Sequence, residues 1–274
     1  SIETGFRMIR KVLTMPELVR PNQEVTLSDQ CYRFENVSFS YEKGIEVLHD
    51  INFEVKPNSV FAIVGESGSG KSTIAKLMAG FFDADDGRIY FGNQDVKSIP
   101  TSQLMKHVAY VAQDNFLFDT SIRENLKIAK ADATDEEIQA ALKAANCLEL
   151  IERLPEGLNS NAGDCGKFLS GGERQRITLA RAMLADAQCI ILDEATAYAD
   201  VENEAKIQEA LSRLMKDKTL IVVAHRLNTI VGADQIMVLG HGKIESIGTH
   251  KELIQNSSAY QKLWQSYSGK EVVE

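Results

Sequence analysis

Gly65, Gly70, Lys71 and Ser72 stand at the spacing G-x-x-x-x-G-K-[ST] within Gly65-Glu66-Ser67-Gly68-Ser69-Gly70-Lys71-Ser72-Thr73. Residues of these types in this order cradle phosphate. Glycines at 65, 68 and 70 let the backbone turn its N–H groups toward one point, and oxygens can approach closely. A helix beginning at the end of the loop adds partial positive charge there. Lys71 is placed to reach β- and γ-phosphates, and Ser72 to offer its hydroxyl to Mg2+. A plain flexible Gly/Ser turn is the alternative, and the flanks argue against it. Val60–Val64 is a short apolar run of the kind that forms a buried parallel strand. Ser72–Met78 reads as a helix that stops at Gly80.

A second apolar run, Cys189–Leu192, ends in Asp193-Glu194. Ligands bind parallel sheets at the carboxyl ends of the strands, so this pair is expected beside the phosphate loop. Asp193 is the candidate holder of Mg2+ through water, because Mg2+ keeps much of its hydration shell. Side chains alternate along a strand, so Glu194 points at a different angle. It is the candidate that orients and deprotonates an attacking water. Two acids at an exposed strand end are common; the phosphate loop gives this pair its reading.

About a hundred residues after the loop comes Leu169-Ser170-Gly171-Gly172-Glu173-Arg174-Gln175-Arg176. A serine and two glycines before a helix form another anion-binding helix start. With this string the chain resembles the nucleotide-binding domain of an ATP-binding cassette (ABC) transporter, exporter-type and bacterial-looking, over roughly Cys31 to Tyr267. The string resembles the family signature in its LSGGE rather than LSGGQ form. The loop and Asp193-Glu194 are similar to Walker A and Walker B. Four more residues fall in the family's order. Tyr41 matches the aromatic residue that stacks on adenine, Gln113 the Q-loop glutamine, Asp200 the D-loop aspartate, and His225 the switch histidine. Alone, Tyr41 is an ordinary strand-end aromatic, Gln113 a polar residue after a strand, and His225 a structural histidine. Their place in the ordered set carries them. His49, His107, His241 and His250 match no motif.

The resemblance implies an ATPase that holds ATP with Tyr41 and residues 65–73, and Mg2+ with Ser72, Gln113 and Asp193. The catalytic set it implies is Glu194, His225, Gln113 and Lys71, with His225 on the γ-phosphate and Gln113 sensing it through Mg2+ or water. Leu169, Ser170, Gly171, Gly172 and Glu173 act in trans. Two copies meet head to tail, and Ser170 and Gly172 of one close over the nucleotide held by Lys71 of the other. The implied partners are a second nucleotide-binding domain, identical or not, and a transmembrane domain. The implied place is the cytoplasmic face of the inner membrane.

Two stretches depart from the family pattern. Ala197-Tyr198-Ala199-Asp200 replaces Ser-Ala-Leu-Asp and sets a bulky Tyr198 at the dimer seam. This variant is similar to D-loops of cassettes that handle iron-chelate molecules. Ser160–Gly166 only loosely resembles the exporter-type Thr-Glu-Val-Gly-Glu-Arg-Gly, with Asp164 as its acid. Phe116-Leu117-Phe118 and Ser121–Leu126 resemble exporter-type cassettes, which favours a fused half-transporter.

The elements that must position these residues suggest an α/β fold: a P-loop NTPase (RecA-like) core with an antiparallel β subdomain and an inserted α-helical subdomain. Alternation over Tyr32–Val55 predicts the antiparallel sheet, with Tyr41 at its edge. Thr134 and Glu137 predict a capping box before Ile138, Leu142 and Ala145. Residues 114–180 are expected to form the helical subdomain, and Ile207, Leu211 and Leu214 mark a helix after the D-loop. Thr219–Ala224 reads as a buried strand, Ile236–Ile247 as a hairpin turning at Gly240-His241-Gly242, and a last helix holds Leu263 and Trp264. Residues 1–22 read as an amphipathic helix and linker ended by Pro16 and Pro21, and 23–274 as the nucleotide-binding domain. The first helix is read as the tail of a missing membrane domain. A helix packed on the domain or lying on a lipid surface is the alternative.

A net charge of −9 over 274 residues argues against wrapping nucleic acid. Cys31, Cys147, Cys165 and Cys189 are scattered without metal-ligand spacing and read as reduced. No signal peptide is visible, and no apolar run approaches the ~20 residues of a membrane helix. Other classes fit less well. A small-molecule phosphoryl transferase would need no LSGGE string. A DNA-repair cassette would place a heptad coiled coil between loop and signature, and a ribosome-linked form would carry two cassettes. A stand-alone importer ATPase is the closer alternative; apolar spans upstream of Ser1 would mark a fused transporter.

Overall fold

A computed structural model describes residues 18–28, 31–112, 114–193, 201–214, 217–224 and 227–268. The helix expected at the N-terminus lies outside them. In chain order the strands are β1 (Tyr32–Glu42), β2 (Ile45–Val55), β3 (Val60–Val64), β4 (Asp86–Phe91), β5 (Gln94–Asp95), β6 (Val108–Val111), β7 (Cys189–Asp193), β8 (Thr219–Val223), β9 (Gln235–Gly240) and β10 (Lys243–Gly248). The helices are α1 (Lys71–Met78), α2 (Thr101–His107), α3 (Ile122–Lys127), α4 (Asp135–Ala144), α5 (Leu148–Arg153), α6 (Gly171–Ala185), α7 (Val201–Leu214), α8 (His250–Asn256) and α9 (Ser258–Ser268).

The strands form two sheets, ordered β2-β1-β4-β5 and β10-β9-β3-β8-β7-β6. The first is antiparallel, with Phe34 opposite Phe53 and Tyr32 opposite Phe91. In the second, β6 to β9 and β3 run parallel, and β10 returns antiparallel to β9. Its central strands are nearly continuous apolar runs because helices or the first sheet cover both faces. The expected hairpin at residues 240–242 and the helices around Ile207 and Trp264 are present. Strands β4 and β5 were not anticipated from the sequence, whereas the strand read before Gln113 is β6.

Aromatic rings join the two sheets. Phe53 stacks on Phe34 at 4.5 Å and on Phe61 at 5.3 Å, centroid to centroid. Ile74, Leu77 and Met78 bury the inner face of α1 against this cluster. The hydroxyl of Tyr32 donates to the Met78 carbonyl at 2.8 Å, closing one of the open carbonyls at the end of α1. Helix α1 is thereby fixed to both sheets.

Helices α3 to α6 lie between β6 and β7 in the chain. The Thr134–Glu137 capping box forms as the sequence predicts. Ile177, Leu179 and Ala180 of α6 are buried with Ile190 and Leu192 of β7 and Ile138 and Leu142 of α4, so one core holds the helical segment to the parallel sheet. Fully buried Asn125 ties it together. Its amide donates to the Phe118 and Ser121 carbonyls, and its oxygen accepts from Phe118 N–H at 2.8 Å and from Arg181 at 3.1 Å. Asn125→Ala strands several buried polar groups and is expected to cost about 2–3 kcal/mol, read as a lowered urea midpoint.

Residues 18–28 are clasped onto the domain by several side chains, two of them through paired hydrogen bonds. Arg20 grips both carboxylate oxygens of Asp83, at 3.1 and 2.6 Å. The buried side chain of Gln103 accepts from Val25 N–H at 3.0 Å and donates to Val25 C=O at 2.7 Å.

Candidate active site

Strand β3 runs into Gly65, and α1 begins at Lys71. Two loop glycines are required by geometry. Gly65 has φ +153°, and a Cβ there would lie 2.1 Å from the Leu239 carbonyl oxygen. Gly70 has φ +105°, and a Cβ there would lie 2.7 Å from Leu48 Cδ2. As N-cap of α1, Gly70 brings no capping side chain, and no acid sits in the first turn. The first N–H groups of α1 therefore face no side-chain competitor for an anion. Lys71 is 4% exposed, and its Nζ donates to the Gly65 and Glu66 carbonyls at 3.0 and 2.8 Å. Glu66, Ser67 and Gly68 form the exposed rim, while Ser69 and Thr73 are buried.

Asp193 ends β7 with 5% exposure. Its Oδ1 accepts from the Ser72 hydroxyl at 2.9 Å, and its Oδ2 from the Tyr110 hydroxyl at 2.6 Å. Burial and then the hydrogen bond to Asp193 push the Tyr110 pKa well up, so Tyr110 remains a donor at neutral pH. Hydroxyl and carboxylate oxygens on one spot are the hard donors that Mg2+ takes.

Tyr41, at the end of β1, is half exposed, and its hydroxyl shares a hydrogen bond with Thr73 Oγ1 at 3.1 Å. Its ring meets Phe39 and Phe82 edge to face at 4.9 and 5.3 Å. The structure thus links Tyr41 to Thr73 and Ser72 to Asp193 around the Lys71 loop.

Leu169–Glu173 is built on a different element. Ser170 is the exposed N-cap of α6, in a capping box: its Oγ accepts from Glu173 N–H at 3.2 Å, and Glu173 Oε2 accepts from Ser170 N–H at 2.8 Å. Glu173 is also ion-paired with Arg153. This accounts for glutamate at the fifth position, because the box needs Glu or Gln three residues after the cap.

Gln113, Glu194, Asp200, His225 and Tyr198 lie outside the described residues. Gln113, Glu194 and His225 follow β6, β7 and β8 within two residues, and those strands are neighbours whose register sets Val111 beside Leu192 and Asp193 beside Val223. Sequence reasoning missed Tyr110 and Phe82. The one local signal for Tyr110 was its place three residues before Gln113; Phe82 gave none.

The profile of the family described as ABC transporter matches residues 48–197, more than half of the chain. The chain belongs to the ABC transporter family. It is the ATP-binding, ATP-hydrolysing part of such a protein. Among its relatives, the mycobactin import ATP-binding/permease protein IrtA of Mycolicibacterium thermoresistibile is 44% identical over 97% of this chain and 31% of its own length. The heavy metal tolerance protein of Schizosaccharomyces pombe is 47% identical over 84% of this chain and 28% of its own. The putative multidrug export ATP-binding/permease protein YgaD of Bacillus subtilis is 47% identical over 84% of this chain and 40% of its own. The chain therefore spans about a third of the length of the curated relatives it matches. A solved bacterial Atm1-family ABC exporter with ATP bound superposes with TM-score 0.87 at 34% identity, covering 97% of this chain and 47% of that one. The ABC fold inferred from Gly65–Thr73 and Leu169–Glu173 is thus the fold of the chain.

Proposed function

We propose that two copies of this ATPase close head to tail on ATP and drive a membrane permease. The observation that carries the reading is the preformed start of α6. Ser170 is exposed, and its hydroxyl and its N–H are both paired with Glu173, so the capping box holds this turn at the helix start in the shape that would meet an arriving phosphate. Lys71 and the first turn of α1 supply the opposite jaw. Tyr41 offers its open ring face to the adenine, and Thr73 fixes the ring through the Tyr41 hydroxyl.

Ser72 and Asp193 would hold Mg2+, with Gln113 as the third member; when bound, Mg2+ neutralises charge on the β- and γ-phosphate oxygens. Lys71 orients the phosphates, Glu194 takes the proton of the attacking water, and His225 and Gln113 attend the γ-phosphate. Asp200 joins the two sites at the dimer seam.

The membrane partner has a matching surface. A cavity of about 730 Å³ is lined by Phe81, Met105, Tyr110, Phe116, Ile128 and Arg181 among others. Four of these, Phe81, Met105, Phe116 and Ile128, are exposed large apolar side chains. The relatives' names join ATP-binding to permease in one protein, which supports a permease segment as the occupant. No helix of the described residues is long and apolar enough to cross a membrane. The ATPase would sit on the cytoplasmic face of the inner membrane, with residues 1–22 as the connection. Import, metal tolerance and multidrug export all occur in the relatives' names, so cargo and direction belong to the permease.

Mixing two inactive variants tests the shared site. Lys71→Ala and Ser170→Arg are each expected to hydrolyse ATP poorly. Mixed, they form dimers with one intact composite site, and activity should rise at least tenfold above either alone. No recovery on mixing would mean that one copy suffices.

A further inference from the structure

We propose that Tyr110 is a positioning residue for Asp193, setting the carboxylate that faces the metal. This rests on the magnesium reading above. The Asp193 carboxyl can turn about a broad, soft torsion, so one donor on one oxygen leaves its plane loose. Ser72 engages Oδ1 at 2.9 Å and Tyr110 engages Oδ2 at 2.6 Å, and two donors on opposite oxygens fix the plane.

Each donor is itself held by a rigid element. Tyr110 is carried by β6, whose register sets it beside Ile191 of β7, two residues before Asp193. Ser72 lies in the first turn of α1. The Tyr110 ring meets Phe81, just beyond the end of α1, edge to face at 5.0 Å. The tyrosine is therefore braced by the helix that carries Ser72 and by the sheet that carries Asp193. A phenylalanine would keep the ring contact and lose the donor.

A buried carboxylate would be satisfied by the same hydrogen bond without any metal role. The test must therefore separate metal binding from folding. Affinity for a non-hydrolysable fluorescent ATP analogue is measured in EDTA and in Mg2+, for the unaltered chain, Tyr110→Phe and Asp193→Asn, with melting temperatures in EDTA. Tyr110→Phe is expected to keep its EDTA affinity and melting temperature, and to lose about 3–10-fold of the tightening that Mg2+ gives. Asp193→Asn should lose most of that tightening. If Tyr110→Phe retains the full tightening while Asp193→Asn loses it, the proposal for Tyr110 is wrong and the magnesium reading stands. If Asp193→Asn also retains it, the magnesium reading itself fails. A fall in melting temperature and EDTA affinity with the Mg2+ tightening intact would assign Tyr110 a purely structural role and overturn the proposal.

Discussion

Glu194→Gln is expected to bind ATP as the unaltered chain does and to turn over about 10²–10⁴-fold more slowly, the usual worth of a general base. The structure narrows the choice of base. Asp193 is nearly buried, and both its oxygens accept hydroxyl protons, from Ser72 and Tyr110. A carboxylate committed in this way is a poor acceptor for the proton of water. The next carboxylate in the chain, at the same end of β7, is Glu194. The amide is isosteric and uncharged, so closure on ATP survives while proton removal does not. Phosphate release measures the rate, and an ATP-held dimer should accumulate on size-exclusion chromatography. Normal turnover would remove Glu194 from the mechanism.

Lys71→Ala acts one step earlier, on binding. A charge-assisted hydrogen bond is worth about 1.5–3 kcal/mol, and Lys71 is expected to make at least two to phosphate oxygens. At about 1.4 kcal/mol per tenfold, ATP affinity should fall on the order of 10²-fold or more. The site amplifies the effect. Before a nucleotide arrives, two of the three Nζ protons hold the Gly65 and Glu66 carbonyls, so the loop loses a brace together with a charge. Lys71→Arg should rescue poorly, because a 4% exposed position leaves no room for a broad guanidinium. Isothermal titration with ATP checks both variants; affinity kept in Lys71→Ala would refute the phosphate role.

The parts of the site that were legible are those encoded locally. The loop and the capped start of α6 are each contiguous strings, and the strands β3, β7 and β8 are apolar because both faces are covered. What escaped is encoded at a distance. Tyr110 and Asp193 are 83 residues apart, and a tyrosine in a four-residue strand looks like any β-forming residue. Strand β4 opens with Asp86-Gly87-Arg88, a string with turn chemistry; it becomes a strand because Ile89 and Phe91 are buried against β1. Arg20 and Asp83, 63 residues apart, left no periodic trace.

That last pair has a mechanical consequence. Asp83 follows Phe82, whose ring leans on Tyr41, the proposed adenine platform. A swivel of the chain arriving at Arg20 must either tear a two-pronged grip or drag Asp83, and Phe82 with it. The second grip, Gln103 on Val25, removes the slack that would let residues 18–28 absorb the twist. The segment is thus tied through Arg20, Asp83 and Phe82 to the ring of Tyr41, and a displacement of Arg20 would strain that whole line of contacts.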